Sequence, residues 1–124
     1  LGKKVELRND IHPGIIIFAN GSLLAWSIEN IIRNGIDAIE REDGMVSISL
    51  RKLNNDIKIR IQDNGRGIPK KDWKNIFRPG FSTKKAGWGL GLSLSSRIIE
   101  DIHGGQLKVF ESNNDVGTIL EISL

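Results

Sequence analysis

The chain has 124 residues, 39% of them hydrophobic and 27% charged, with no cysteine and a formal net charge of +3. Disulfides, thiolate chemistry and cysteine-based zinc sites are excluded, no apolar run reaches the roughly 18–20 residues of a membrane-spanning helix, and the charged fraction argues against extended disorder. A charge of +3 does not by itself imply an anionic partner, no nucleic-acid-binding motif accompanies it, and a chain that starts at Leu1 with Met45 as its only methionine is expected to be one domain, residues 1–124, of a longer protein.

In chain order, residues 3–8 and 14–19 read as short strands separated by His12-Pro13-Gly14. The run Ile15-Ile16-Ile17-Phe18 suggests a strand buried on both faces. A long helix is expected over residues 22–40, capped by Ser22, with Leu24, Ile28, Ile31, Ile32 and Ile39 on its core face. Residues 46–50 and 57–61 alternate apolar with polar and predict a hairpin around Asn54-Asn55-Asp56. Pro69 suits the first turn of a short helix over residues 70–75. Residues 77–91, with Pro79 and four glycines, read as a long loop. A second long helix is expected over residues 92–103, with Leu94, Ile98, Ile99 and Ile102 towards the core. Residues 106–111 and 117–122 form a last hairpin. Two long helices against one mostly antiparallel sheet define an α+β fold, a two-layer sandwich.

Three constellations bear chemistry. Asn30 and Asn34 are four apart and share one helical face. Their carboxamides either face water or offer neutral hard oxygen to a Mg²⁺ whose charge substrate phosphates already balance. Arg33 either faces those phosphates or pairs on the surface with Asp37. Asp63-Asn64-Gly65-Arg66-Gly67 puts an acid just past an apolar strand and two glycines after it. That is either an ordinary turn or a carboxylate poised to accept from an exocyclic amine such as adenine's, with backbone free to approach the ligand. Gly87-Trp88-Gly89-Leu90-Gly91 runs straight into the second long helix. It reads either as a ligand-free loop or as an anion cradle. No preceding strand supports a dinucleotide fingerprint, and the P-loop sequence is absent.

Taken with Phe77-Arg78-Pro79-Gly80-Phe81-Ser82-Thr83-Lys84, the order and spacing of these parts form a four-part match from about residue 13 to the end of the chain. The sequence resembles the catalytic ATP-binding domain of sensor histidine kinases, in the superfamily that also holds DNA gyrase, the large heat-shock chaperone ATPases and the MutL proteins. The parts resemble the N box (Asn30 to Asn34), the first glycine box (Asp63 to Gly67), the F box (Phe77 to Phe81) and the second glycine box (Gly87 to Gly91).

The resemblance implies the two-layer ATP-binding sandwich of that superfamily and the cofactors ATP and Mg²⁺. It implies that Asn34 ligates Mg²⁺ and that Asn30 supports the metal's water shell or the phosphates. Asn30 stands where gyrase-like members carry a glutamate base, and a carboxamide cannot take that role. Asp63 is expected to bind the adenine amine, with Gly65, Gly67 and Ile68 shaping the purine pocket. Phe77 and Phe81 should anchor a lid over residues 72–91. Lys84 or Lys85, the amides around Gly87, Gly89, Leu90 and Gly91, and Arg33 are candidates for phosphate contact. Gly35 departs from the alanine common at its position, Gly80 from phenylalanine, and Trp88 from a smaller residue. Neither His12 nor His103 carries the context of a phosphoacceptor. The implied partners are a histidine-bearing dimerisation domain of the same protein and a response regulator. The isolated domain is expected to be monomeric and cytoplasmic. A nucleotide-gated interaction module and a serine kinase of the anti-sigma type share this fold and stand as alternatives.

Overall fold

The structure is a computed structural model that describes residues 4–81 and 91–124. Five strands form one sheet: β1 (Val5–Ile11), β2 (Gly44–Leu53), β3 (Asp56–Asp63), β4 (Gln106–Asn113) and β5 (Gly117–Ser123), in spatial order β1-β2-β3-β5-β4. Only β1 and β2 are parallel, since helix α1 (Gly21–Ala38) crosses over between them; the other neighbours are antiparallel. α1 and a shorter α2 (Gly91–Arg97) cover one face, giving the expected α+β sandwich.

Strand periodicity builds the core and the site together. On β3, Ile57, Ile59 and Ile61 point inward and are buried, and the next residue in that register is Asp63, only 7% exposed. Val46, Leu107, Val109, Leu120 and Ile122 complete the sheet's inner face, with Ile31, Ile39 and Ile99 packed on it from the helix side. The outer face is polar. There Glu121, 3% exposed, accepts from Arg60 at 2.8 Å, with the ammonium groups of Lys108 and Lys58 at 3.8 and 3.9 Å.

Several expected elements differ. Residues 14–19 form no strand: Ile15 and Ile17 pack on the core while Ile16 and Phe18 are fully exposed, because this segment passes over the core margin and has protein on one side only. Asn20, not Ser22, caps α1, its side chain accepting from the Leu23 N–H at 3.1 Å. The helix expected over 70–75 is two separate 3₁₀ turns, Lys70–Asp72 and Asn75–Phe77. The second long helix stops being α-helical at Arg97 and continues as a π turn, Ile98–Ile102. That turn widens the helix by a residue and rotates the side chains beyond it. Ile99, four residues after the buried Ser95, is fully buried, whereas Ile102 at the end of the π turn and Leu94 in the α-helical part before it, both expected in the core, are about half exposed. A bulge between Val109 and Glu111 lets the Phe110 ring lie 3.8 Å from the Arg60 guanidinium.

Candidate nucleotide site

Asp63 ends β3 beneath α1, and Gly35 is the helix residue above it. A Cβ at Gly35 would lie 3.2 Å from the Asp63 Cβ and 3.3 Å from its Oδ2, so the absent side chain is what lets the carboxylate sit against the helix. The Gly65 N–H donates to Asp63 Oδ1 at 2.9 Å, and the Thr118 N–H, across the β3–β5 ladder, also donates to the carboxylate. Burial pushes the Asp63 carboxyl up to about 6, outweighing these two donors and the charge of Arg66. A buried acceptor with a partly satisfied carboxylate suits recognition of an amine.

The two glycines after Asp63 are explained first by the chain itself. A Cβ at Gly65 would meet the Ala38 carbonyl oxygen at 2.5 Å, and one at Gly67 would meet the Asn113 carbonyl at 2.5 Å. The loop is thus wedged between the end of α1 and the β4–β5 hairpin. Further bonds hold it: Arg66 N–H to the Ala38 carbonyl, and Ile68 N–H to Ser112 Oγ, which in turn bonds Thr118 Oγ1. Asn64 turns the other way, accepting from Met45 N–H and donating to the Asp43 carbonyl. On that outer side an open depression of about 400 Å³ is lined by Glu40, Arg41, Asn64 and Arg66, among others; Asp63 does not line it.

Asn30 and Asn34 share a face of α1 but have different surroundings. Asn30 Nδ2 donates to the Gly91 carbonyl at 3.0 Å and to Ser95 Oγ at 3.4 Å. Asn34 is half-buried, and its carboxamide bonds no described residue. Arg33 lies on the exposed side, paired with Glu29 at 3.1 Å.

A family model described as histidine kinase-, DNA gyrase B-, and HSP90-like ATPase matches residues 20–124. The chain belongs to this family. Within it the chain is similar to sporulation kinase B of Bacillus subtilis, 32% identical over 122 residues that make up 98% of this chain and 28% of that protein. Among solved structures it resembles the catalytic domain of histidine kinase ThkA, with a TM-score of 0.85 and 26% identity over 97% of this chain and 79% of that one. ThkA in complex with the response regulator TrrA also matches, with a TM-score of 0.76 and 26% identity over 96% of this chain and 34% of that one. The chain spans 28% or less of the length of the curated relatives named sporulation kinases. It is a catalytic ATP-binding domain of the histidine kinase type.

For an ATPase of this family the donor set fits Mg²⁺. Among the described residues no three His, Cys, Asp or Glu side chains converge. A single neutral carboxamide, Asn34, suits an ion that keeps waters and phosphate oxygens as its other ligands. Of the expected lid anchors, Phe77 packs partly on the core, Phe81 is exposed, and the buried residue of that turn is Ile76, which the motif pattern does not single out. Trp73 is likewise outside the motifs; its Nε1–H donates to the Ile68 carbonyl at 3.0 Å and fixes the end of the loop. Thr118 and Ser112 escape sequence reasoning because they lie in a hairpin far from Asp63 in sequence. Lys84, Lys85, Gly87, Trp88, Gly89 and Leu90 lie outside the described residues. Gly91 is the first residue of α2.

Proposed function

We propose that this domain binds ATP–Mg²⁺ and passes the γ-phosphate to a histidine on a separate dimerisation domain of a longer protein, with a response regulator downstream. The observation that carries the reading is the meeting of Asp63 with α1 at Gly35, the residue next to Asn34. An amine acceptor on β3 then lies against the helix residue that follows the carboxamide of Asn34, one group for the base and one for the metal. In this reading Asp63 accepts the adenine amine, the backbone around Gly65, Gly67 and Ile68 shapes the purine pocket, and Asn34 holds Mg²⁺. Bound Mg²⁺ would neutralise phosphate charge, and the chain's own residues would position the donor, which is most of what phosphoryl transfer asks of a protein. Arg33, Phe77, Lys84, Lys85 and the amides of Gly87, Gly89, Leu90 and Gly91 are the proposed phosphate and lid contacts.

The two histidines are engaged elsewhere. His103 accepts from the Asn20 N–H at Nε2, 3.0 Å, so it is the Nδ1–H that donates to the Ile98 carbonyl at 2.9 Å. The His12 ring lies against Arg51. Both facts support an acceptor on another domain, as does the partner in the ThkA complex for the downstream step. The test is calorimetric titration with ATP and Mg²⁺, followed by transfer from ATP to the histidine-bearing region of the full-length protein. Saturable binding lost in Asp63→Ala and an acid-labile phosphate on histidine are expected. Binding retained in Asp63→Ala refutes the adenine assignment; acid-stable phosphoserine points to a serine kinase.

A further inference from the structure

The contacts of Asn30 assign it a different task from that of Asn34. Both protons of its amide face α2: one acceptor is the Gly91 carbonyl at 3.0 Å, the other Ser95 Oγ at 3.4 Å. The carboxamide also presses flat on the start of α2. A Cβ at Gly91 would lie 3.0 Å from Asn30 Nδ2 and 3.1 Å from its Oδ1. Ser95 is fully buried, and so is Ser27, the α1 residue nearly one turn before Asn30, whose hydroxyl donates back to the Leu23 carbonyl at 3.0 Å. Small side chains on both helices thus bring their backbones close at this level, and the Asn30 amide closes the remaining polar gap. At the other end of the same antiparallel pair, the Asn20 N–H donates to His103. These bonds tie the pair at two separate levels among the described residues, and the Asn30 level is the one beside the candidate metal ligand.

We propose that Asn30 is a positioning residue that acts through α2: its two amide donors hold the first turn of α2 at a fixed offset from Asn34, and nucleotide affinity depends on that offset whether or not metal is present. This rests on the proposed nucleotide site. It differs from support of the metal's water shell, which would be felt only when metal is bound.

The experiment measures ADP affinity of the 124-residue domain by calorimetry, once with Mg²⁺ and once with a chelator. Asn30→Ala should lose about tenfold in both, the equivalent of one good hydrogen bond or about 1.4 kcal/mol. Ser95→Ala should lose less, again equally in both. Gly91→Ala, whose methyl would displace the amide, should behave like Asn30→Ala. Thermal melts identify any variant that fails to fold, and Ser95→Ala then carries the comparison. In the free wild type, the Asn30 side-chain NH₂ should exchange with solvent more slowly than the Asn34 NH₂. Losses confined to Mg²⁺, no loss in either condition, or equally fast exchange at both amides would overturn the proposal while leaving the nucleotide site standing. No ADP binding by the wild type would overturn both.

Discussion

Asp63 is where pH should enter nucleotide binding. Its carboxyl is raised from 3.8 to about 6, chiefly by burial, so at about pH 7.5 it is ionised and at about pH 5 roughly nine-tenths protonated. An amine donates more strongly to the carboxylate than to the carbonyl oxygen of the neutral acid. Binding should therefore favour the ionised form and return the group towards 3.8. Linkage then weakens affinity about twofold at pH 6 and about tenfold at pH 5, relative to pH 7.5. The nucleotide's terminal phosphate titrates in the same range, so the informative quantity is wild type compared with Asp63→Asn, which keeps the phosphate effect and lacks the carboxyl. Titrations near pH 6 in two buffers of different ionisation heat should show about half a proton released by wild type beyond that of the variant. Identical pH profiles for the two proteins would refute the assignment.

The same shift fixes the sign of a stability effect. A carboxyl that is harder to ionise folded than unfolded costs nothing below its unfolded value of 3.8. The cost grows as pH rises through 4 to 6 and is complete above about 6, where a shift of about two units is worth at most about 3 kcal/mol. The stability of Asp63→Asn relative to wild type should therefore increase across that window, read as the difference in melting temperature at about pH 4 and about pH 7.5. A difference that does not change with pH would show that the carboxyl is not strained by burial.

Other outcomes rest on single contacts. Asn34→Ala should reduce ATP affinity in Mg²⁺ to the metal-free value of wild type and change the metal-free affinity by less than about twofold, the opposite signature to Asn30→Ala. Gly67→Ala would place a methyl 2.5 Å from the Asn113 carbonyl, backbone that cannot yield cheaply; a loss of about 2–3 kcal/mol in urea denaturation is expected. Glu121→Gln should cost about 1–3 kcal/mol by the same assay, because Arg60, Lys58 and Lys108 converge on a carboxylate that is 3% exposed. Basal ATP hydrolysis by the domain should stay close to the uncatalysed level, since Asn30 has no basicity and its amide protons face α2; phosphate release assayed without partner checks this.

The elements legible in the sequence are those in which one face sees core and the other water. The alternation of Val46 to Leu50 and of Ile57 to Ile61 predicted the hairpin, and its register, extended by two residues, buries Asp63. The errors arise mostly where burial or a boundary depends on contacts or local geometry that periodicity does not carry. Ile16 and Phe18 read as the interior of a strand, yet their segment forms none and both side chains are exposed. Ile102 fits a 3.6-residue period that the π turn at Ile98–Ile102 breaks, while Leu94, before that turn, lies on the side of α2 away from the buried Ser93 and Ser95. Asn20 and Ser22 are both good caps, and composition cannot choose between them; the His103 ring accepting from the Asn20 N–H is a tertiary contact at that boundary.

The candidate site was legible for a further reason, and it limits what the motifs alone can say. Gly65, Gly67 and Gly117 are each pinned by the protein's own backbone: a Cβ would meet Ala38 O at 2.5 Å, Asn113 O at 2.5 Å and Asp63 O at 2.1 Å respectively. The Asp-x-Gly-x-Gly spacing therefore reports how a loop is threaded between α1 and the β4–β5 hairpin as much as how a purine is held. A pattern required by threading is shared by every chemistry the fold hosts, so it can identify the family without identifying the reaction. What narrows the reaction is the chemistry at two positions that threading leaves open. Position 34 presents a carboxamide free among the described residues, and position 30 presents one whose protons are committed to α2. Neither can deprotonate a water. In the proposed reading such a centre would hold and orient a phosphoryl donor, and the acceptor would be brought by another domain.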